Sequence, residues 1–308
     1  MLRIARSTLI AATLALTAAP SLAAQASTQE SAEPTELPAV EVTAQNLREV
    51  VQTFVADVSE VHERNGQIAR FDTRICPGVV NLPAESAQII NDQIARAANW
   101  AGRAVGGPGC APNVLVIFTD DSDRLANDLA DAHPSAFAFY AALNQNAESA
   151  LTAFRAPGQT VRTWYLARES TGIEQAFRIG RPRGTFAVRA PIGLYPNSGR
   201  LSAAHETVIT RSLIIVDTRL LGPVNVQALG DYLSMISLAR IDTAAPTAHL
   251  DTILNLFSEP EGVRPKGLSS WDKAYLQSLY SARPNSATTN FHVRDIADRM
   301  TRRISGAQ

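Results

Sequence analysis

Two stretches in the first half of the chain have the hydrophobic period of an amphipathic helix. From Asn46 onward the apolar positions are Leu47, Val50, Val51, Phe54, Val55, Val58 and Val61, with charged and amide side chains between them. After Pro83 the apolar stripe consists of Ile89, Ile90, Ile94, Ala97 and Ala98, and the glycine-rich segment 102–109 follows it. The pattern predicts one helix over 46–61 and a second that Pro83 opens and the glycines end.

Apolar and β-branched runs between these helices predict strands. One strand is expected over 70–82, where it would carry Cys76. The continuous run Val114-Leu115-Val116-Ile117-Phe118 is typical of a strand buried on both faces. Further strands are expected over 40–43, 161–166, 185–189 and 207–216.

The last third of the chain is predicted to be mainly helical, with helices over 226–240, 270–280 and 291–304. Helix and strand alternate before it. This alternation favours an α/β (α+β) fold in which helices flank a mixed sheet.

The N-terminus has the pattern of an export signal. Arg3 and Arg6 form a basic start, residues 9–19 are almost entirely apolar, and Ala24-Gln25-Ala26 is an Ala-x-Ala cleavage pattern. The apolar run is shorter than the roughly twenty residues that span a bilayer. We therefore predict a signal peptide over 1–26, a flexible acidic leader over 27–38, and a single α/β domain over 39–308 in a periplasmic or secreted protein.

Charge argues against a nucleic-acid partner. The chain has 28 basic and 29 acidic residues, and removal of residues 1–26 takes away two arginines and no acid, which leaves a net charge of −3. Nucleic-acid binding usually requires a basic excess on one face. Lysine occurs only at Lys266 and Lys273, a bias toward arginine that by itself indicates no binding site. After signal cleavage no transmembrane segment is expected.

Cys76 and Cys110 are the only cysteines of the chain. In an oxidising compartment an isolated pair predicts a disulfide. A redox-active or metal-binding pair, the alternative, normally has Cys-x-x-Cys spacing or nearby histidines, and neither is present here.

The order of elements in the last hundred residues resembles the zincin-type metallopeptidases. A strand ending near Thr218 leads into the helix over 226–240, then comes Ile253-Leu254-Asn255-Leu256-Phe257, a turn, and a helix that begins Ser269-Ser270-Trp271-Asp272. The resemblance covers residues 40–285 in layout only. Parts of these segments are also similar to uncharacterised exported bacterial proteins.

The resemblance implies a helix with His-Glu-x-x-His, whose histidines bind zinc beside a glutamate that acts as general base. Here the comparable pairs are Gln227 with Asp231 and Asp231 with Met235, and no histidine lies between His205 and His249. The sequence therefore predicts a catalytically degenerate, zincin-like domain without a catalytic metal.

His205 and Glu206 form the best isolated pair for catalysis or metal binding, although a solvated surface pair has the same pattern. A nucleophilic site would combine Ser198 or Ser202 with His205 and Asp217, but no Gly-x-Ser-x-Gly elbow accompanies them.

Asp120, Asp121 and Asp123 follow the predicted strand 114–118, where α/β sheets often place ligand-binding groups. They would supply oxygen ligands to a divalent cation, or cap the next helix, and we favour the cap. The Arg-rich stretch 178–183 would suit either an anionic partner or a solvated loop.

These patterns give a function and two alternatives. The first is an exported binding or accessory protein without cofactor, whose protein or envelope partner the sequence does not name. The second is a cell-envelope hydrolase with an atypical site near His205, Glu206 and the Asp120 to Asp123 cluster. The third is an interaction module whose leader and strand 40–43 add to a partner's sheet.

Overall fold

Strand β5 (Glu206–Asp217) runs through the middle of a five-stranded sheet in the computed structural model. Strand β4 (Val161–Ser170) lies antiparallel along one edge of β5. The other edge is shared by two parallel strands, β1 (Arg70–Phe71) against the first half of β5 and β3 (Val114–Thr119) against the second half. Strand β2 (Pro77–Val80) pairs in parallel with β3. The sheet is therefore mixed, with only β4 antiparallel.

The structure describes residues 44–60, 67–137, 147–170, 199–200 and 202–306. The helices are α1 (Ala44–Val58), α2 (Ala84–Trp100), α3 (Ser122–Ala132), α4 (Ala147–Arg155), α5 (Val226–Leu238), α6 (Ser270–Ser281) and α7 (Thr289–Ser305), with a 3₁₀ helix at Ile253–Leu256. The described residues belong to one compact unit, Val42–Gln308. None of these helices is long and apolar enough to cross a membrane.

The main core lies between one face of the sheet and helices α1, α2, α5, α6 and α7. Val114, Val116 and Phe118 of β3 point into it, together with Ile214 and Val216 of β5. Helices α2 and α5 are in close contact because Gly230 leaves room for Gln93. A Cβ atom at position 230 would lie 2.8 Å from Gln93 Cγ and 3.4 Å from Ile90 Cα.

A second apolar cluster covers the opposite face of the sheet. Phe137, Phe154 of α4 and Trp164 of β4 stack with ring centroids 4.7 to 5.6 Å apart, and Ile215 packs beneath them. Helix α3 contributes Ala126 and Ala130 to the same cluster. Helices therefore cover the sheet on both sides.

The predicted fold class is confirmed: helices flank a mostly parallel mixed sheet, and the C-terminal part is mainly helical. Two details differ. The strand predicted over 70–82 is two strands, because β1 pairs with β5 whereas β2 pairs with β3. Strand β3 is fully buried only at alternate positions, and Leu115 and Ile117 are half-buried. The predicted signal peptide, leader and strands 40–43 and 185–189 lie outside the described residues.

The predicted disulfide is confirmed, since Cys76 and Cys110 are bonded with their Cα atoms 6.1 Å apart. It joins the segment before β2 to the segment before β3. Cys76 also accepts the Val114 amide through its carbonyl oxygen, at 3.2 Å. The bridge thus holds together the starts of two neighbouring parallel strands.

Replacing both cysteines, as Cys76→Ser with Cys110→Ser, should lower the free energy of unfolding by about 3 to 4 kcal/mol, because the bridge closes a loop with a sequence separation of 34 residues. Urea unfolding of the double variant and of the oxidised wild type would measure the loss. An unchanged midpoint would show that the bridge adds no stability.

Gly230→Ala should destabilise the protein by about 1 to 2 kcal/mol, although alanine is favoured over glycine in a helix by about 1 kcal/mol. The added methyl group would force α5 away from α2. Gly107→Ala is the control, since its Cβ meets no atom within 4 Å. A Gly230→Ala variant more stable than wild type would show that the two helices can separate freely.

Candidate functional site

Asp121 and Asp123, which follow β3, bond to other groups of the protein. Asp121 caps α3 by accepting the Arg124 amide at 3.1 Å, as the helix-cap interpretation predicts. Asp123 pairs with Arg162 and accepts the Gly158 amide. Asp120 has no part in a cluster of three possible metal ligands, and the described residues contain no such cluster.

Arg162 is the largest fully buried side chain in this region, at 1% exposure. Its guanidinium donates to the carbonyl oxygens of Phe154 and Ala156, to Ser122 Oγ and to Asp123. These bonds satisfy a buried charge and join β4 to α3 and to the end of α4. The role of this arginine is therefore structural.

Asp217, at the end of β5, is 1% exposed and is occupied in the same way. Hydrogen bonds from the Arg219 side chain lower the pKa of this carboxyl to about 2, although burial alone would raise it. The amides of Ser122 and Arg219 also donate to it, at 3.2 and 3.0 Å. Asp217 thus ties the end of β5 to the start of α3.

His205 and Glu206 lie at the opposite end of the sheet. Strand β5 has twelve residues, so eleven steps of about 3.3 Å place its two ends about 36 Å apart. Asp217, Asp121 and Asp123 are at one end, and His205 and Glu206 are at the other. A single hydrolytic site that uses both groups is therefore not formed, and neither is a triad of Ser202, His205 and Asp217.

Ser202 and His205 are also not joined to each other. Ser202 Oγ accepts from Arg283 Nη1 at 3.4 Å. His205 Nε2 lies 4.0 Å from Glu169 Oε1 and has no hydrogen-bond partner among the described residues. The backbone carbonyl of His205 accepts from Gln67 Nε2 at 2.8 Å, which fixes the entry to β5. Ser198 and the stretch 178–183 lie outside the described residues.

Glu206 is half-buried, and burial raises the pKa of its carboxyl while nearby Arg70 opposes that shift. No described residue forms a hydrogen bond or ion pair with its carboxylate. Arg70 instead donates to the carbonyl oxygens of Leu279 and Ala282, at 2.5 and 3.1 Å, at the end of α6. The position of the Arg70 guanidinium is thus set by the C-terminus of α6, and helix C-termini attract cations.

The three α5 positions that were compared with zincin ligands lie in different surroundings. Met235 is fully buried in the main core. Asp231 accepts the Leu268 amide at 2.9 Å, and burial raises the pKa of its carboxyl. Gln227 is exposed in the first turn of α5. Only Gln227 therefore faces a space that a ligand can enter.

That space is a cleft of about 580 Å³ beside the first turn of α5. We call it the α5 cleft. Its apolar lining consists of Pro223, Val224, Ala228, Leu256 and Pro265. Its polar lining consists of Asn225, Gln227, Glu261, Arg264 and Lys266. The volume falls within the range of about 300 to 1,000 Å³ that is usual for small-molecule sites.

Both walls of the α5 cleft are held in place. Asn225 Oδ1 accepts the amides of Gln227 and Ala228, at 2.8 and 3.3 Å, which caps α5. Arg264 donates to the Pro223 carbonyl at 3.0 Å and to the Glu259 carbonyl at 3.1 Å. The guanidinium therefore bridges the segment before α5 and the segment after the 3₁₀ helix.

A buried carboxylate anchors the second wall. Asp272 is 0% exposed and accepts from Thr252 Oγ1, from the Ile253 amide at 2.9 Å and from the Ser269 amide at 2.8 Å. These bonds fix both ends of the segment that carries Glu261, Arg264 and Lys266. Burial raises the pKa of the Asp272 carboxyl, and the hydrogen bonds oppose that shift.

A smaller pocket of about 210 Å³ lies near the start of α7. Its only carboxylate, in the described part of the chain, is already occupied, since Asp295 accepts from Arg299 Nε at 2.9 Å and from the Arg283 amide at 2.7 Å. The α5 cleft is larger, and its charged side chains form no ion pair with another described residue. It is therefore the better candidate for a ligand site.

Sequence reasoning missed the α5 cleft because its two walls are about thirty residues apart in the chain. One signal was present. Two prolines and two glycines accompany Lys266, one of only two lysines, within the segment 260–267. The other lysine, Lys273, lies over the Trp100 ring, 4.6 Å from its centroid.

Comparison with protein-family models, with curated proteins and with solved structures finds no match to this chain.

One buried histidine, outside every candidate site, links the free energy of unfolding to pH. His292 on α7 is 1% exposed, and its Nδ1 accepts the Ile68 amide at 3.0 Å. Burial lowers the pKa of this imidazole to about 4, with a further contribution from Arg70, while Asp295 opposes the shift. The folded protein therefore holds His292 neutral.

The free energy of unfolding should fall as the pH falls from about 6.5 to about 4. In this window the unfolded chain protonates His292 and the folded chain does not, which amounts to about 3 kcal/mol. His292→Asn keeps an acceptor for the Ile68 amide and should remove this part of the pH dependence.

Urea unfolding at several pH values would measure the effect. His249→Asn, at an exposed position, is the control and should retain the wild-type slope. If His292→Asn and wild type lose stability in parallel between pH 6.5 and 4, this interpretation of the buried histidine is wrong.

Proposed function

We propose that this chain is an exported, periplasmic or secreted protein that binds a small ligand in the α5 cleft and carries out no chemistry on it. One observation carries the proposal: a cleft of about 580 Å³, with both walls fixed, is lined by groups that bind but lack the usual catalytic combinations.

The residues that line the α5 cleft favour binding over catalysis. Among the residues that the structure describes, no histidine, cysteine or serine lines the α5 cleft, and Glu261 is the only acid that does. Covalent catalysis normally needs a nucleophile with an adjacent base, and a zinc site needs three or more N, O or S ligands. Amides, cations and aliphatic side chains instead fit the usual pattern of a binding pocket, which is mostly apolar with few polar groups.

The order of elements supports a zincin-like layout as part of this proposal. Strand β5 leads into α5, the 3₁₀ helix follows, and α6 comes after it. In a zincin-type enzyme the helix in the place of α5 carries the zinc-binding histidines. Here Gln227 and Asp231 occupy comparable positions, and Asp231 is already bonded to the Leu268 amide. A binding protein built on such a layout would be a pseudoenzyme.

The disulfide and the signal pattern support export. Cys76 and Cys110 are bonded to each other and leave no free thiol in the chain. Structural disulfides of this kind persist in oxidising compartments such as the periplasm. The N-terminal signal pattern leads to the same compartment.

A cleft-filling variant tests the binding function. Gly262 lines the α5 cleft, its Cβ would meet no atom within 4 Å, and its φ is not in the left-handed region. Gly262→Trp should therefore fold normally and occupy the cleft. Gly107→Trp is the matched control, because that glycine is equally open and is not part of the cleft lining.

The measurement is two-dimensional ¹⁵N NMR of the protein with a library of neutral, anionic and cationic fragments. Binding fragments should shift the signals of residues 223–228 and 256–266. Gly262→Trp should lose these shifts, and Gly107→Trp should keep them. Fragments that bind only elsewhere, or equally to Gly262→Trp, would overturn the proposal, as would a stoichiometric zinc content of the purified protein.

A further inference from the structure

The charges of the α5 cleft do not cancel. Arg264 and Lys266 line it, and Glu261 is the opposing charge. Among the described residues neither cation forms an ion pair with a carboxylate, and Glu261 has no ion-pair partner either. In the described part of the chain, the cleft thus has a net charge of +1 from its side chains, in a protein whose overall charge is negative.

The Arg264 guanidinium is held in place by two backbone carbonyls. Of its five N–H donors, Nε–H and one on Nη1 bind the carbonyls of Glu259 and Pro223. The remaining three have no acceptor among the described residues. A guanidinium held by backbone carbonyls loses little conformational entropy when it binds a planar anion, and its fork geometry matches carboxylate and phosphate oxygens.

The other lining groups complement an anion with an apolar part. Lys266 follows Pro265 and contributes a mobile point charge. The Gln227 side chain adds an amide donor that has no acceptor among the described residues. Val224 and Leu256 supply an aliphatic surface next to these polar groups.

We infer that the ligand of the α5 cleft carries an anionic group, a carboxylate or a phosphate, that contacts Arg264 and Lys266. This inference rests on the proposed binding function and adds the chemical class of the ligand. A neutral ligand can accept hydrogen bonds from Arg264, but it leaves the positive charge of the cleft unbalanced.

The test uses three small probes: sodium acetate, acetamide as its neutral counterpart, and inorganic phosphate. Each is titrated into the ¹⁵N-labelled protein at constant ionic strength, and the shifts of residues 223–228 and 256–266 are followed. Acetate, phosphate or both should bind, and acetamide should not. Binding of acetate alone or of phosphate alone supports the inference and identifies the group.

Variants that remove one charge test whether the positive charge of the α5 cleft contributes to anion binding. Lys266→Gln should weaken binding of the anion about tenfold, which corresponds to one charge-assisted contact of about 1.4 kcal/mol. Glu261→Gln should strengthen binding, because it removes the opposing charge. Lys273→Gln, the other lysine of the chain, should change nothing. Both cleft positions are exposed, so these variants are expected to fold, and their melting temperatures would check it.

Three outcomes would overturn the anion assignment. They are equal binding of acetamide and acetate, no binding of either anion, and anion binding that Lys266→Gln leaves unchanged. The binding function is tested separately. If neutral fragments shift the signals of the α5 cleft, and these shifts are lost in Gly262→Trp, the binding function is supported even when the anion assignment fails. Failure of the assignment is thus distinguishable from failure of the function.

Discussion

The hydrogen bonding of both edges of β5 is the constraint on which this structure depends. A buried strand must pair most of its backbone groups, and β5 pairs with β4 on one edge and with β1 and β3 on the other. Because β1 and β3 share one edge of β5, the segment after residue 70 forms two short strands, β1 and β2, instead of one. Because β1 and β2 then have different partners, the chain must bend between them, and the Cys76–Cys110 bridge lies at that bend.

The same strand separates the polar groups of the protein. Its length places Asp217 and the aspartates of α3 at one end, and His205 and Glu206 at the other. Each group is then used locally: Asp217 by Arg219 and Ser122, Asp123 by Arg162, and the His205 carbonyl by Gln67. Residues that look catalytic in the sequence thus serve mainly to hold element ends together.

The α5 cleft depends on this arrangement because α5 follows directly from β5. Packing of Gly230 against Gln93 fixes α5 on α2. Asp231 and Asp272 then fasten the opposite wall through backbone amides, and Arg264 bridges the two walls. Asp272 is buried and accepts three hydrogen bonds, and Asp231 is half-buried and accepts one, which favours a rigid site. A rigid, cationic cleft without the usual catalytic groups is consistent with the proposed binding function.

The sequence by itself determined the elements and their local ends. Periodicity predicted helices α1, α2, α5, α6 and α7 and strands β3, β4 and β5, because burial of one face acts within a few residues. It likewise predicted the cap at Asp121 and, since only two cysteines exist, the disulfide. A helix cap and a single cysteine pair can both be inferred from residue types alone, without knowledge of the tertiary structure.

Only the tertiary structure decided which strand pairs with which and what the polar residues do. Strand partners are chosen between segments that are far apart in the chain, so periodicity could not divide the predicted strand 70–82 into β1 and β2. The α5 cleft likewise joins the segments around residues 225 and 264, which the packing of α5 and the Asp272 hydrogen bonds bring together. Its two cations were visible in the sequence, but their shared position was not, because proximity in space depends on long-range packing.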